Sequence, residues 1–225
     1  MWKELRLLFQ RESLCDEAFN AALVMLEASA SMFRDAVASL RREGSLELDI
    51  YERDRQINKY ERDVRRKIVT HLAISTSPDT NMGLILTAIV IDIERIGDIT
   101  KNIVELAADI EQAFTGGEIE AEIASVETTV TQMFDKIVPA LRNGDVDLAR
   151  EIYEVHEGVA GTVEENLQRL VTGQVLTDDS AVAATATLYL RYLKRISAHL
   201  KNVATSIVNP YYRIGFREKP GDEEE

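Results

Sequence analysis

Apolar residues recur every three or four positions over most of the 225-residue chain, and this spacing predicts α-helices. From Phe19 to Leu40 they advance by 4, 3, 4, 3, 4 and 3 positions, the spacing of a helix packed against neighbours. This first helix is expected to end near Gly44. A second is predicted from about residue 46 to 74, where Ser, Pro and Asp residues break the pattern, and a third from about 82 to 107.

The same pattern returns one hundred positions later, so the chain is an internal duplication. Arg142 and Gly144 repeat Arg42 and Gly44, and the offset becomes 102 for the middle helix of each half. The sequence therefore predicts an all-α protein of six long helices in two tandem three-helix bundles related by a pseudo-two-fold axis. The predicted units are repeat one, 1–115, repeat two, 116–209, and a C-terminal extension with an acidic tail, 210–225.

Three local features modify this picture. Pro139 lies inside the predicted fourth helix and is expected to kink it or end it one turn early. Leu84 and Ile91 project away from the apolar face of their own repeat, so they need a second apolar surface, from the other repeat or from a second subunit. The segment from Tyr211 to Phe216 is aromatic and is expected to pack. These residues together predict a homodimer or a complex with a partner.

Composition excludes several classes of protein. The formal net charge is −13 and only 6% of residues are aromatic, so neither a phosphate-tracking groove nor a base-stacking platform is expected and nucleic acid is not a predicted partner. Cys15 is the single cysteine, which excludes an internal disulfide. The longest apolar run is too short to span a bilayer, and the first residues do not resemble a signal peptide. We expect a cytoplasmic protein that is at most peripheral to the inner membrane through its partners.

Candidate chemistry has to come from helices, because the chain has no Walker loop, dinucleotide-binding glycine motif or nucleophile elbow. Glu94 and Asp98 stand four residues apart, share one helical face and can chelate a cation. This face is expected to point outward from the core of its repeat. Arg95 and Lys101 are the alternative source of positive charge, in which case the acidic pair is a solvated surface.

One segment of the third helix resembles the signature helix of the PhoU family of phosphate-uptake regulators. It reads Asp92-Ile93-Glu94-Arg95-Ile96-Gly97-Asp98, followed by Lys101-Asn102-Ile103. The resemblance covers nearly the whole chain, because PhoU proteins also have two three-helix repeats. It implies a regulator, not an enzyme, that restrains phosphate transport and phosphate-regulon expression through protein–protein contacts. The implied partners are the ATPase of a phosphate transporter and a sensor histidine kinase.

The resemblance also implies a metal site. Acidic pairs on the bundle surface of PhoU proteins hold divalent ions or a multinuclear iron or zinc cluster. Glu94 and Asp98 match the family's acidic pair, and Asp54 with Asn58 on the second helix is a similarly spaced pair that faces them. These four residues are the predicted metal ligands.

The second repeat departs from the family pattern. Lys194 and Ala198 replace the acidic pair and cannot ligate a cation, so a metal ion is expected in repeat one only. A different and weaker site is conceivable in repeat two, at Glu154, His156, Glu157 and His199. Two other functions stay open: an accessory subunit of a low-affinity or sodium-coupled phosphate carrier, and a metal-dependent hydrolase built on the acidic pair.

Overall fold

The computed structural model describes residues 13–43, 49–75, 79–175 and 179–218. These residues form six α-helices and two short 3₁₀ turns, and no β-strand occurs among them. The all-α prediction with six long helices is therefore confirmed. The helices are α1 (Leu14–Arg41), α2 (Ile50–Ile74), α3 (Thr80–Asp109), α4 (Glu120–Asn143), α5 (Val146–Val171) and α6 (Ser180–Val208).

Side-chain caps fix where five of the helices begin. Ser13 caps α1 in a capping box with Asp16, and an aspartate whose carboxylate accepts backbone N–H bonds precedes each of α2, α3, α5 and α6. Such a cap satisfies donors that the first turn of a helix leaves unpaired, and it contributes about 1 kcal/mol. The predicted start of the second helix near residue 46 lies outside the described residues, and α2 begins at Ile50.

Pro139 does not end α4 early. The helix continues for four residues beyond it to Asn143 and then closes at Gly144, which has the left-handed backbone conformation. Proline removes one helical hydrogen bond, but Ala140 and Leu141 are buried immediately after it. We attribute the persistence of the last turn to this burial of apolar side chains.

The two repeats pack through their first and third helices. The antiparallel helices α3 and α6 contact each other along the middle of the molecule, and α1 contacts α4 beside them. The rings of Phe33 and Phe134 meet at this second contact with 5.1 Å between their centroids. The remaining helices, α2 and α5, lie on opposite flanks and pack on their own repeats. One continuous apolar core results.

The segments that follow the third helix of each repeat differ in how far their aromatic side chains are buried. After α3 the chain crosses towards α4, and Phe114 on the way is buried. After α6 the chain forms a 3₁₀ turn at Tyr211–Arg213 that contacts α3. Ile214 packs against the core there, whereas Tyr212 and Phe216 stay 76% and 65% exposed. Within the described part of the chain, no helix has both the length and the apolar character that crossing a membrane requires.

Candidate functional site

A glycine on α3 allows the two helices of the acidic site to approach closely. A Cβ atom on Gly97 would lie 3.0 Å from Cδ1 of Ile57 on α2, a distance that packed side chains rarely tolerate. The backbone of α3 therefore fits against a buried isoleucine at this point. As a result, the acidic side chains on either side of Gly97 lie next to the polar edge of α2.

A lysine joins the predicted ligands from the two helices. The Lys101 ammonium lies 3.2 Å from Oδ2 of Asp54 and 3.3 Å from Oδ1 of Asp98. Asn58 donates a hydrogen bond of 3.4 Å to Asp54 through Nδ2. The structure thus brings Asp54, Asn58 and Asp98 together, but around an ammonium group. The sequence left open whether a metal ion or a basic side chain neutralises the acidic pair. This arrangement agrees with the second possibility, with Lys101 as the basic side chain.

Glu94 completes the acidic face from one turn earlier on α3. Its nearest cation is Arg95, whose Nε lies 3.6 Å from Oε2 of Glu94 and whose Nη1 lies 3.6 Å from Asp98. The side chains of Glu94 and Asp54 are only 17% and 14% exposed. Neither residue belongs to the apolar core, but α2 covers this face along one side, so the face is half-buried and not fully solvated.

The acidic groups affect one another's ionisation. Burial raises the pKa of Glu94 above its usual value, and the negative charge of Asp98 raises it further. The charges of Glu61 and Asp54 act in the same direction, and Arg95 only partly opposes them. Burial acts to lower the pKa of Lys101, but the hydrogen bonds and charges of its two aspartate partners outweigh burial and raise it. The lysine is therefore held in its charged form.

The metal prediction depends on whether these carboxylates can enclose an ion. Among the described residues, no group of three or more His, Cys, Asp or Glu side chains is arranged to hold one. As arranged, the four predicted ligands do not fit an ion, because the Lys101 ammonium fills the space between Asp54 and Asp98 that a cation would need. Metal binding at Glu94, Asp98, Asp54 and Asn58 stays a prediction.

The weaker site suggested for repeat two does not assemble. Nδ1 of His156 is buried and lies 3.0 Å from Oγ of Ser197. His199 turns towards repeat one, where its Nδ1 lies 2.7 Å from Oδ1 of Asp92. Lys194, at the position of Glu94, pairs with Glu164 on α5. The two histidines therefore belong to different contacts, and neither contact collects carboxylates around an open position.

Sequence reasoning missed the role of Asp92. This residue lies in the same motif as the acidic pair, but it projects towards α6, where it accepts hydrogen bonds from His199 and, over 2.9 Å, from Nδ2 of Asn202. Its side chain is 15% exposed. The motif therefore contacts two different helices. Glu94 and Asp98 lie next to α2, and Asp92 lies at the interface of the repeats next to α6. The spacing could have indicated this, because Asp92 and Glu94 are two positions apart and side chains two positions apart on a helix point in different directions.

The fold and the site define a class of protein: a duplicated three-helix bundle with a half-buried acidic face on its first repeat. The family model for the PhoU domain matches residues 23–107 and again residues 123–207. The chain belongs to the PhoU family. The two matches are offset by one hundred residues, the offset that the apolar pattern predicts.

Curated relatives match most of the chain. The phosphate-specific transport system accessory protein PhoU homolog of Pseudomonas aeruginosa is 27% identical over 179 residues, which are 77% of this chain and 74% of that protein. The protein of the same name from Pseudomonas putida is 26% identical over 86% of this chain and 77% of its own length.

Solved structures agree with the fold. The crystal structure of PhoU from P. aeruginosa has a TM-score of 0.78 at 25% identity and covers 87% of this chain and 95% of its own. The phosphate transport system regulatory protein PhoU from Streptococcus pneumoniae has a TM-score of 0.70 at 16% identity, with coverage of 86% and 91%. This second similarity bears on the fold alone.

Proposed function

We propose that this chain is an accessory regulator of phosphate transport that acts by binding other proteins. The observation that carries the proposal is the match of both repeats to the PhoU domain, together with relatives named as accessory proteins of the phosphate-specific transport system. The proposed partners are the ATPase subunit of a phosphate transporter and a sensor histidine kinase. Contact with them would place the chain at the cytoplasmic side of the membrane.

The acidic face of α2 and α3 is the surface that we propose for signal-dependent contacts. It is half-buried, it contains several carboxylates, and Lys101 and Arg95 compensate their charge only in part. A partner that supplies a further cationic group, such as an arginine, would relieve the repulsion that raises the pKa of Glu94. This proposal needs no catalytic group, in agreement with a regulatory role.

A deletion strain complemented with this chain tests the proposal. We expect the chain to restrain phosphate uptake and to repress a phosphate-regulated alkaline phosphatase reporter when phosphate is plentiful. The double variant Glu94→Gln and Asp98→Asn, which keeps the side-chain shapes, should lose repression. Glu157→Gln on the exposed surface of α5 is the matched control and should keep it.

Two measurements separate the alternatives. Uptake in a strain that keeps only a low-affinity or sodium-coupled carrier distinguishes the two transport roles, because only an accessory of that carrier changes its rate. A binding assay between the purified chain and the transporter ATPase tests direct contact. Unchanged uptake and reporter expression in both strains would overturn the proposal.

A further inference from the structure

The second helix of each repeat lies on an outer flank of the molecule, and the two flanks carry opposite charge. Helix α2 has seven Lys or Arg residues and four Asp or Glu residues, whereas α5 has two and six. The chain as a whole has a net charge of −13, so the basic flank is an exception to its composition. Because an acidic protein does not need a basic flank for solubility, the charge of α2 points to a specific contact.

The basic side chains of α2 that point away from the protein form a single row, which we call the basic stripe. Its members are Arg55, Lys59, Arg62 and Arg66. Spacings of four, three and four positions place them on one side of the helix, and all four are exposed. The buried residues Ile57 and Val64 lie on the other side of α2. The stripe is about 17 Å long, given the rise of an α-helix.

The equivalent positions of repeat two carry no positive charge. With the offset of 102 that applies to the middle helices, the basic stripe corresponds to Glu157, Gly161, Glu164 and Gln168. These positions on α5 are exposed as well. The two helices therefore present the same outer row of positions with opposite charge, and the basic stripe is specific to repeat one.

The carboxylates of α2 do not neutralise the centre of the basic stripe. Each of them pairs with another basic side chain: Glu52 with Arg55, Asp54 with Lys101, Glu61 with Arg65, and Asp63 with Arg66 and Lys67. Among the residues that the structure describes, Lys59 and Arg62 have no carboxylate within ion-pair distance. They are three positions apart and therefore neighbours on the helix surface. The centre of the stripe thus carries two uncompensated positive charges.

The shape of this surface favours an extended anion over a small one. A groove of about 530 Å³ runs along the stripe and is lined by Gln56, Lys59, Tyr60, Arg62, Asp63 and Arg66. All six lining residues belong to α2, so no second helix closes over a ligand. Sites for small molecules enclose most of the ligand surface. The stripe instead offers contact along its length to a broad anionic surface.

Exposed aliphatic side chains continue the stripe towards the end of α2. Val69 lies on the same side of the helix as Arg66 and is 67% exposed, and Ile74 in the last turn is 70% exposed. Basic and apolar side chains are combined in this way on helices that lie at a membrane surface, where the apolar groups enter the headgroup region. The sugar-phosphate backbone of a nucleic acid offers no comparable apolar layer. The combination therefore favours a lipid surface.

We propose that the basic stripe of α2 binds directly to the surface of an anionic lipid bilayer, with Val69 at the level of the headgroups. Each basic side chain near such a surface strengthens binding by about fivefold. The acidic flank does not prevent this contact. Three helix packings of about 8–10 Å each separate α5 from α2, and charges are screened over about 8 Å at physiological salt. This lipid contact is independent of the contacts with other proteins proposed above.

Co-sedimentation of the full chain with vesicles tests the proposal. One vesicle preparation is phosphatidylcholine alone, and the other contains about 30% phosphatidylglycerol as the anionic lipid. We expect partitioning into the anionic vesicles to be at least about a hundredfold stronger than into the neutral ones, and to disappear at about 0.5 M salt. Equal partitioning into both preparations, or binding to neither, would overturn the proposal.

Charge variants locate the contact on the helix. Lys59→Gln combined with Arg62→Gln removes the two uncompensated charges without breaking an ion pair, and should lower the partition coefficient about thirtyfold. Lys59→Arg combined with Arg62→Lys keeps both charges and should bind as the native chain does. The matched control is Arg191→Gln combined with Arg195→Gln on α6, because both residues are exposed and the net charge changes equally. Native partitioning is expected for this control, and native partitioning of the first variant would refute the assignment to α2.

Further measurements distinguish a lipid surface from other anions. Val69→Ser keeps every charge and should lower partitioning into anionic vesicles about threefold, because a group that enters the headgroup region is lost. Inorganic phosphate at constant ionic strength should not displace the chain from the vesicles, and duplex DNA should not bind it. Displacement by phosphate would indicate a site for the free anion, and tighter binding of DNA through Lys59 and Arg62 would indicate a nucleic-acid surface. Either result would contradict the proposal.

Discussion

Replacement of Phe114 by alanine is the sharpest test of how the repeats are held together. The side chain is 4% exposed and contacts both halves of the molecule, through Leu40 and Arg41 of repeat one and Tyr189 of repeat two. Removing a buried phenylalanine ring typically destabilises a protein by 3–5 kcal/mol, the range set by how far the cavity collapses. We expect a loss at the lower end of this range, about 3 kcal/mol.

The specific ring contacts contribute part of that loss. An edge-to-face aromatic pair and a cation–π contact each contribute about 1 kcal/mol beyond burial. Phe114→Leu keeps much of the apolar volume and removes both contacts, so it should destabilise the protein by about 1–2 kcal/mol. The ordering of native protein, leucine variant and alanine variant therefore separates burial from ring geometry.

Urea unfolding followed by circular dichroism measures these losses. With a urea dependence of about 3 kcal/mol per molar, a loss of about 3 kcal/mol lowers the midpoint by about 1 M. Phe216→Ala is the control, because that ring is 65% exposed and its loss should change the stability of the monomer by less than about 0.5 kcal/mol. If Phe114→Ala unfolds at the same urea concentration as this control, the contacts of Phe114 with Leu40, Arg41 and Tyr189 do not stabilise the fold.

Three further predictions concern the polar sites. Because the pKa of Glu94 is raised in the folded protein, its ionised form opposes folding at neutral pH, and Glu94→Gln should raise the urea midpoint at pH 7; a lower midpoint would contradict this. Burial lowers the pKa of His156, so the unfolded chain binds the proton more readily and stability should fall as the pH drops below about 6.5. His156→Gln should reduce this dependence of stability on pH, and an unchanged dependence would exclude His156 as its source. If a metal ion binds the acidic face, elemental analysis after purification without chelator should detect it in the native chain and not in the Glu94→Ala and Asp98→Ala double variant. Equal content in both would locate the ion elsewhere, and no metal in the native chain would contradict the prediction.

The fold was largely predictable because helix periodicity and duplication are properties of the chain itself. The spacing from Phe19 to Leu40 and its return one hundred positions later depend on no tertiary contact, and the two matched domains have the same offset. The effect of Pro139 was less predictable, since the last turn of α4 depends on burial of Ala140 and Leu141 against other helices.

The sequence predicts which residues form the acidic site, but it does not predict how their side chains are arranged. Glu94 and Asp98 follow from their spacing, but their partial burial depends on how closely α2 approaches, which Gly97 and Ile57 decide. The sequence suggested Lys101 as a neighbour of the acidic pair. That it also reaches Asp54 depends on the register between two helices, and no pattern within one helix contains that information.

The divergence of the two repeats explains why one of them alone carries an acidic face. In repeat one, Lys101 lies between Asp54 and Asp98. At the equivalent positions of repeat two, the lysine is retained as Lys201, while the two aspartates have become His156 and Ala198.

The retained lysine now acts on a different group. Burial lowers the pKa of His156 first, and the positive charge of Lys201 lowers it further, so the imidazole stays neutral and bonds to Ser197. A neutral hydrogen bond between α5 and α6 has thus replaced a cluster of charges. A buried neutral pair leaves no uncompensated charge for a ligand to satisfy, so the contact with a cationic partner group that we propose is expected at the acidic face of repeat one.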